Sequence, residues 1–315
     1  MNDIKVSIII PTYNAEKYIS RCVDSLLNQS FSLPYEIIIS LNGCNDKTLE
    51  IVEEYYRKYN SLVIINNPNK LGAAKSRMAG IEASKGDYLL FVDADDYVHT
   101  NYIKRLYDEA QFGYDVVCAN VDEIHGDKVV KSAFRKNKAL NTYQTIRAQL
   151  LDSYLRSFSV CKLFKASLFK EQAIYYPKTI GIIGEDTITL FQVFKKAQKT
   201  KLIKDSLYYY DKNVETSNTN SINKGRFDQH VNCFAFIRHL IDESKDDKLL
   251  KIYRRTFWRT KLSLWFDAYL LKDEFHHSAI KHLRLHKREL KLMKNKKPLP
   301  VTGEVWEQYF KDCYN

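Results

Sequence analysis

No apolar run in the chain is long enough to cross a membrane: stretches such as Ile8-Ile9-Ile10 and Leu89-Leu90-Phe91-Val92 fall far short of the ~20 residues a spanning helix needs. Met1 to Lys5 shows no basic stretch leading into an apolar core and a small-residue cleavage site, so no secretory signal is read and a cytoplasmic location is expected. Cys-x-x-Cys pairs are missing as well. The cysteines (Cys22, Cys44, Cys118, Cys161, Cys233, Cys313) lie far apart with no histidine at zinc-ligand spacing, which leaves reduced thiols and argues against a zinc module. Internal repeats, low-complexity linkers and recognised nucleic-acid motifs are also lacking, so no nucleic-acid partner is expected.

What is present is ordinary globular material, 45 % hydrophobic and 28 % charged over 315 residues, enough for about two domains. The net charge of +11 is unevenly spread, because residues 226–315 alone carry +7. Much of that excess lies in Lys281 to Lys297, where eight basic residues face only Glu289. Ile280, Leu283, Leu290 and Met293 recur beside them, predicting a basic amphipathic helix. Such a helix either packs on its neighbours with a solvated cationic face or makes a peripheral contact with anionic membrane.

Strand and helix patterns alternate through the first part of the chain. Val6 to Ile10 is a β-branched run closed by Pro11, and Tyr18, Ile19, Cys22, Val23, Leu26 and Leu27 follow at helical spacing, with Asn14 as the expected N-cap. Strands are predicted over Ile37 to Leu41, Leu62 to Ile65 and Tyr88 to Val92, and helices over about Asp46 to Tyr59 and Gly72 to Ala83. This order implies an α/β fold with a mostly parallel sheet covered by helices, in which ligands bind beyond the carboxyl ends of the strands. A helix (about Thr100 to Gln111) and a strand near Asp115 to Ala119 follow, then a less regular stretch, a helix after Gly184 and a strand from Leu202 to Tyr210. The polar stretch Asn213 to Asn223 reads as a loop. These patterns divide the chain into an α/β domain, 1–225, and a helical C-terminal domain, 226–315.

Chemistry concentrates in the loops after the strands. Asp93-Ala94-Asp95-Asp96 places three carboxylates at the end of an apolar strand, an arrangement that is costly without positive charge. Either a divalent metal, Mn²⁺ or Mg²⁺, joins a diphosphate there with Asp93 and Asp95 as ligands, or the segment is a solvated turn in which Asp96 or Thr100 caps the next helix. Pro11-Thr12-Tyr13-Asn14 likewise reads as a turn with a cap, or as a hydroxyl, a ring and an amide that hold a nucleoside base.

Taken together and in order, these segments resemble family 2 of the inverting glycosyltransferases, whose nucleotide-binding half has the GT-A fold. Val6-Ser7-Ile8-Ile9-Ile10-Pro11-Thr12-Tyr13-Asn14 is similar to that family's opening strand and nucleotide loop, Gly72 to Gly80 to its Arg-bearing helix, and Asp93-Ala94-Asp95 to its metal motif. Gly184-Glu185-Asp186 is similar to its Glu-Asp pair, and Lys162-Leu163-Phe164 to its Lys-Leu-aromatic segment. The resemblance covers about residues 4–210. It implies Arg77 on base or phosphates, Asp186 as general base, and transfer of glucose, galactose or an N-acetyl derivative from a uridine-diphosphate sugar to a glycan, glycoprotein or lipid-linked acceptor in surface glycan synthesis, giving a β-linkage. Two departures stand out. Leu41-Asn42-Gly43-Cys44 replaces the family's frequent Asp-Asp-Gly-Ser, leaving Asn42 to face the base, where its carbonyl suits the N3 hydrogen of uracil and its NH₂ the N3 of cytosine. Residues 213–223 hold no histidine to act as a further metal ligand, so Thr219, Asn220 or water would serve. Two competing readings remain. A sugar-nucleotide nucleotidyltransferase would be expected to have a Gly-rich, basic first loop, and a basic membrane- or nucleic-acid-binding module would rest on the C-terminal segment alone.

Overall fold

A computed structural model describes residues 3–130, 134–151, 155, 158–171, 174, 185–214, 233, 236–253 and 256. The expected basic helix over 281–297, the polar residues 215–223 and the boundary near 225 lie outside them.

Among the described residues, ten strands form one sheet. β1 (Val6–Thr12), β2 (Tyr35–Asn42), β3 (Leu62–Asn67) and β4 (Tyr88–Phe91) pair in parallel in the order β3-β2-β1-β4. Their crossovers are α1 (Ile19–Leu27), α2 (Thr48–Lys58) and α3 (Ala73–Ala83), as the alternating pattern requires. Beyond β4 the sheet becomes mixed. β9 (Lys162–Lys165) runs antiparallel to β4 and to β6 (Val116–His125), which is in turn parallel to β10 (Lys199–Asp211). Three short strands complete the sheet: β5 (Tyr97–Val98) and β8 (Lys138–Asn141) are antiparallel to β10, and β7 (Lys128–Val130) to β6. The parallel pairing read from the sequence therefore holds for β1 to β4 and again between β6 and β10, within a sheet that is mixed as a whole. Once the chain inserts β9 between β4 and β6, the direction reverses.

Alternating side chains of β1 and β2 serve two cores. Ile8, Ile10, Ile37 and Ile39 pack with Ile19, Val23 and Leu26 of α1, Val52 of α2, and Ile103 and Leu106 of α4 (Tyr102–Ala110). Ile9 and Ile38 face the other way, toward Ala74 and Ile81 of α3 and toward Ile188, Phe191 and Phe194 of α7 (Glu185–Lys196). Helical residues 236–244 and 247–253 contribute Phe236, Ile237, Ile241, Leu249 and Tyr253 to this second core. α3 can approach β1 closely because position 80 is glycine: a Cβ there would stand 2.3 Å from Ile9 Cγ2. That approach carries Arg77, one turn earlier on α3, over the end of the sheet. Cys22, Cys44, Cys118, Cys161 and Cys233 are free thiols.

Candidate active site

Asn14 does not cap α1. Its φ is +45°, its Nδ2 donates to Asn45 Oδ1 at 2.6 Å, and its own Oδ1 accepts from the Asn45 amide at 3.0 Å. The side chain thus staples the loop after β1 to the loop after β2, and α1 begins later, at Ile19, with no side-chain cap. Thr12 also differs from the expectation, because its hydroxyl is buried and donates inward to Ile10 O at 3.1 Å. Of the Pro11-Thr12-Tyr13-Asn14 group, Tyr13 presents its ring, 40 % exposed, with Lys70 Nζ 3.9 Å from the ring centroid.

Asn42 is committed elsewhere too. Its carbonyl oxygen accepts from the amides of Leu71, at 2.5 Å, and Gly72, at 3.1 Å, so both lone pairs expected to meet a uracil are taken by the turn before α3. Gly43, at φ +68°, completes the clasp: its amide donates to Asn67 O, and a Cβ would stand 2.7 Å from Lys70 N. Local sequence pairs each of these residues with a ligand. Backbone groups elsewhere in the chain reach them first.

At the carboxyl end of β4, Asp93, Ala94 and Asp95 form the loop that the sequence singled out. Asp96 neither caps α4, whose N-cap residue Asn101 makes no side-chain cap bond, nor faces water. It is fully buried. Its Oδ2 accepts from the Tyr208 hydroxyl at 2.6 Å and its Oδ1 from the Asp211 amide at 3.0 Å, while the same hydroxyl accepts from the Asp93 amide at 3.1 Å. Arg21 closes the ring by donating to Asp95 O at 2.7 Å and pairing with Asp211 Oδ2 at 2.8 Å. The carboxylate loop is therefore bolted to the end of β10 through Tyr208, Asp211 and Arg21, none of which the sequence singled out. Their partners lie on the order of a hundred positions away, beyond the reach of any local pattern.

Arg77 is not a surface helical arginine. It is buried, with Nη2 donating to Asp93 Oδ1 at 3.0 Å, Nη1 donating to Glu185 Oε1 at 2.8 Å, and Asp186 Oδ1 at 3.7 Å from Nη1. One guanidinium thus joins the metal-motif loop to the Glu-Asp pair at the start of α7, two segments that the sequence places far apart. Burial pushes the Glu185 carboxyl up to about 7, against the opposing pull of Arg77. Burial and the neighbouring Asp93 charge bring Asp95 up to about 6. Asp93 is raised by burial despite Arg77, with Asp186 adding to the rise. Among the described residues, Arg77 and Arg21 are fewer positive charges than the carboxylates of Asp93, Asp95, Glu185, Asp186 and Asp211 that they face.

That shortage is what a divalent cation would fill. Asp93 and Asp95 supply hard carboxylate oxygens, and Mg²⁺ or Mn²⁺ commonly takes one or two carboxylates and completes its shell with substrate phosphates and water. Among the described residues, no group of three or more His, Cys, Asp or Glu is placed to hold a metal on its own. Two carboxylates of this kind fit a cation whose shell a diphosphate and water complete.

A parallel-sheet half with a carboxylate loop at its strand ends, facing an acidic helix start, is a GT-A architecture. Residues 7–172 match the family model for glycosyl transferase family 2, and the chain belongs to that family. It is 36 % identical over 211 residues to the Poly(ribitol-phosphate) beta-glucosyltransferase of Bacillus spizizenii, covering 66 % of this chain and 32 % of the relative. To the Poly(ribitol-phosphate) beta-N-acetylglucosaminyltransferase TarS of Staphylococcus aureus it is 30 % identical over 212 residues, covering 66 % and 35 %. The chain thus spans about a third of the length of these two relatives. The crystal structure of S. aureus TarS residues 1–349 in complex with UDP-GlcNAc superposes with a TM-score of 0.62 at 26 % identity, covering 74 % of this chain and 66 % of that one. No helix among the described residues is long and apolar enough to cross a membrane.

Proposed function

We propose that the chain is a metal-dependent inverting glycosyltransferase that moves glucose or N-acetylglucosamine from its uridine-diphosphate donor to a hydroxyl of a cell-wall glycan such as a polyol-phosphate polymer. The observation that carries this reading is the Arg77 bridge, which puts a candidate base pair, Glu185 and Asp186, beside the carboxylates suited to a diphosphate's cation. The names of the two relatives support the choice of sugar and of acceptor. Membrane contact through Lys281 to Lys297 belongs to the same reading and is supported by sequence alone.

In this scheme Asp186 takes the proton of the acceptor hydroxyl as that oxygen attacks the anomeric carbon. The bond from that carbon to the diphosphate oxygen breaks, and its electron pair leaves with uridine diphosphate. Asp93 and Asp95 would hold the cation, which when bound offsets the charge of the leaving group. Tyr13 offers a ring face to the base. Asn42 acts one step back, by fixing the turn from which α3 and Arg77 start.

A screen of nucleotide sugars against a poly(ribitol phosphate) acceptor tests the proposal. Turnover of UDP-glucose or UDP-N-acetylglucosamine is expected with Mn²⁺ or Mg²⁺, lost in excess EDTA and regained when metal is restored. Undiminished turnover in EDTA would remove the metal, and inertness toward every UDP-sugar would remove the transferase.

A pH dependence follows as well. A proton and a cation compete for Asp95, whose value near 6 means that the carboxylate is mostly ionised at pH 7 and mostly protonated at pH 5. Mn²⁺ affinity, read by calorimetry with the UDP-sugar present, should be flat above pH 7 and fall roughly tenfold per unit below 6. An affinity unchanged between pH 7 and 5 would show that Asp95 is not a ligand.

A further inference from the structure

The loop before β9 carries a residue that the scheme above does not use. Ser159 is 1 % exposed, and its hydroxyl donates to Asp186 Oδ1 at 2.7 Å. The loop that presents it is fixed at several points. Lys162, itself buried, turns its ammonium back to donate to Phe158 O at 2.5 Å and Val160 O at 3.4 Å, bracketing Ser159. Cys161 sits in the left-handed region at φ +58°, a conformation that costs a non-glycine residue energy and persists only where its surroundings impose it. Its carbonyl accepts from the Ala119 amide at 3.1 Å, and its thiol donates to Asn120 O at 3.3 Å, so the loop is seated on β6. The segment Lys162-Leu163-Phe164, noted in the sequence without a task, thus anchors the serine beside the carboxylate.

Both contacts to Asp186 fall on the same oxygen. Oδ1 accepts from Ser159 and lies 3.7 Å from Arg77 Nη1, while no hydrogen bond to Oδ2 forms among the described residues. A first-turn carboxylate without such a tether can turn about its side-chain bonds, and a base must point a lone pair at the proton it takes. We propose that Ser159 is a positioning residue for the transfer reaction: it holds Oδ1 of Asp186, so that Oδ2 is the oxygen that receives the acceptor's proton. This rests on Asp186 being the base.

Three variants of the full chain test it, with kcat, UDP affinity by calorimetry in the presence of Mn²⁺, and Tm as readouts. Ser159→Ala should lower kcat about tenfold, the scale of one hydrogen bond to a charged group, with UDP affinity and Tm unchanged. Ser159→Thr, which keeps a hydroxyl, should restore kcat to within about threefold, since the same kind of bond is re-formed. Wild-type kcat in Ser159→Ala would overturn the proposal. So would a loss that threonine fails to rescue, or one in which kcat, UDP affinity and Tm fall together, the pattern of a merely structural serine. Asp186→Asn separates the two levels. If it stays active, the base assignment itself fails; if it is inactive while Ser159→Ala is normal, only the positioning role fails.

Discussion

Asp186→Asn should cut sugar transfer by about 10²- to 10⁴-fold while leaving UDP binding within a few-fold of wild type, because it deletes the proposed general base and keeps its shape. An asparagine Oδ1 still accepts from Ser159, so the loop before β9 should stay in place and the loss should appear in kcat. Glu185 is the competing base, since a carboxyl near 7 suits proton transfer on that ground alone. Its surroundings give it another task. Arg77 donates to Glu185 at 2.8 Å and stands 3.7 Å from Asp186, so Glu185 joins Asp93 as a counter-ion of the arginine while Asp186 is held by Ser159 instead. Glu185→Gln should therefore cost less, on the order of tenfold, the scale of one charge-assisted hydrogen bond. Steady-state kinetics of both variants beside UDP calorimetry decide the matter. Near-normal turnover of Asp186→Asn with an inactive Glu185→Gln would exchange the two roles.

The strands could be read because their cause is local. Ile8, Ile9 and Ile10 are apolar on both faces since helices cover both, and the observed β1 extends that run only as far as Thr12. α7 was legible on the same ground: Ile188, Phe191 and Phe194 recur at helical spacing and all are buried. The carboxylate loop after β4 stood out because three acids at a strand end are costly unless compensated. Asn14 does not cap α1, and Thr12 and Asn42 are bonded within the fold, for one shared reason. Each is a polar side chain at a strand end or in the loop after it, and such a side chain is claimed first by whichever polar group the tertiary fold brings near. Asn45, Ile10 O and the Leu71 and Gly72 amides are those groups here, and only the local Ile10 pairing lies within a window that periodicity can see. Tyr208, Arg21 and Ser159 were missed entirely. A buried tyrosine in a strand looks like core, and only its bonds to Asp96 and Asp93 set it apart.

Arg77→Met should destabilise the protein by about 3 kcal/mol at pH 8, the low end for breaking a buried ion pair, because Asp93 lies partly in solvent and its share is screened. Methionine keeps most of the volume, so the loss measures charge. Without the guanidinium, Asp93, Glu185 and Asp186 face one another uncompensated, and their folded-state affinity for protons must rise. Carboxyls held above their unfolded values make stability fall as pH rises through the interval between the unfolded and folded values, since the native state then binds more protons. With Glu185 already near 7, that interval spans roughly pH 4.5 to beyond 7, so the deficit should be small at pH 5 and greatest at pH 8. Thermal melts should show the variant roughly 6–12 °C below wild type at pH 8, with the gap narrowing as the pH is lowered. Arg77→Lys separates charge from shape. A single ammonium cannot span Asp93 and Glu185 as the forked guanidinium does, so lysine should recover much of the stability at pH 8 but little of the transfer activity. Equal melting of Arg77→Met and wild type at both pH values would mean that the bridge holds nothing together, and the link between the metal loop and the Glu-Asp pair would then have to be sought in the Tyr208 and Asp211 contacts instead.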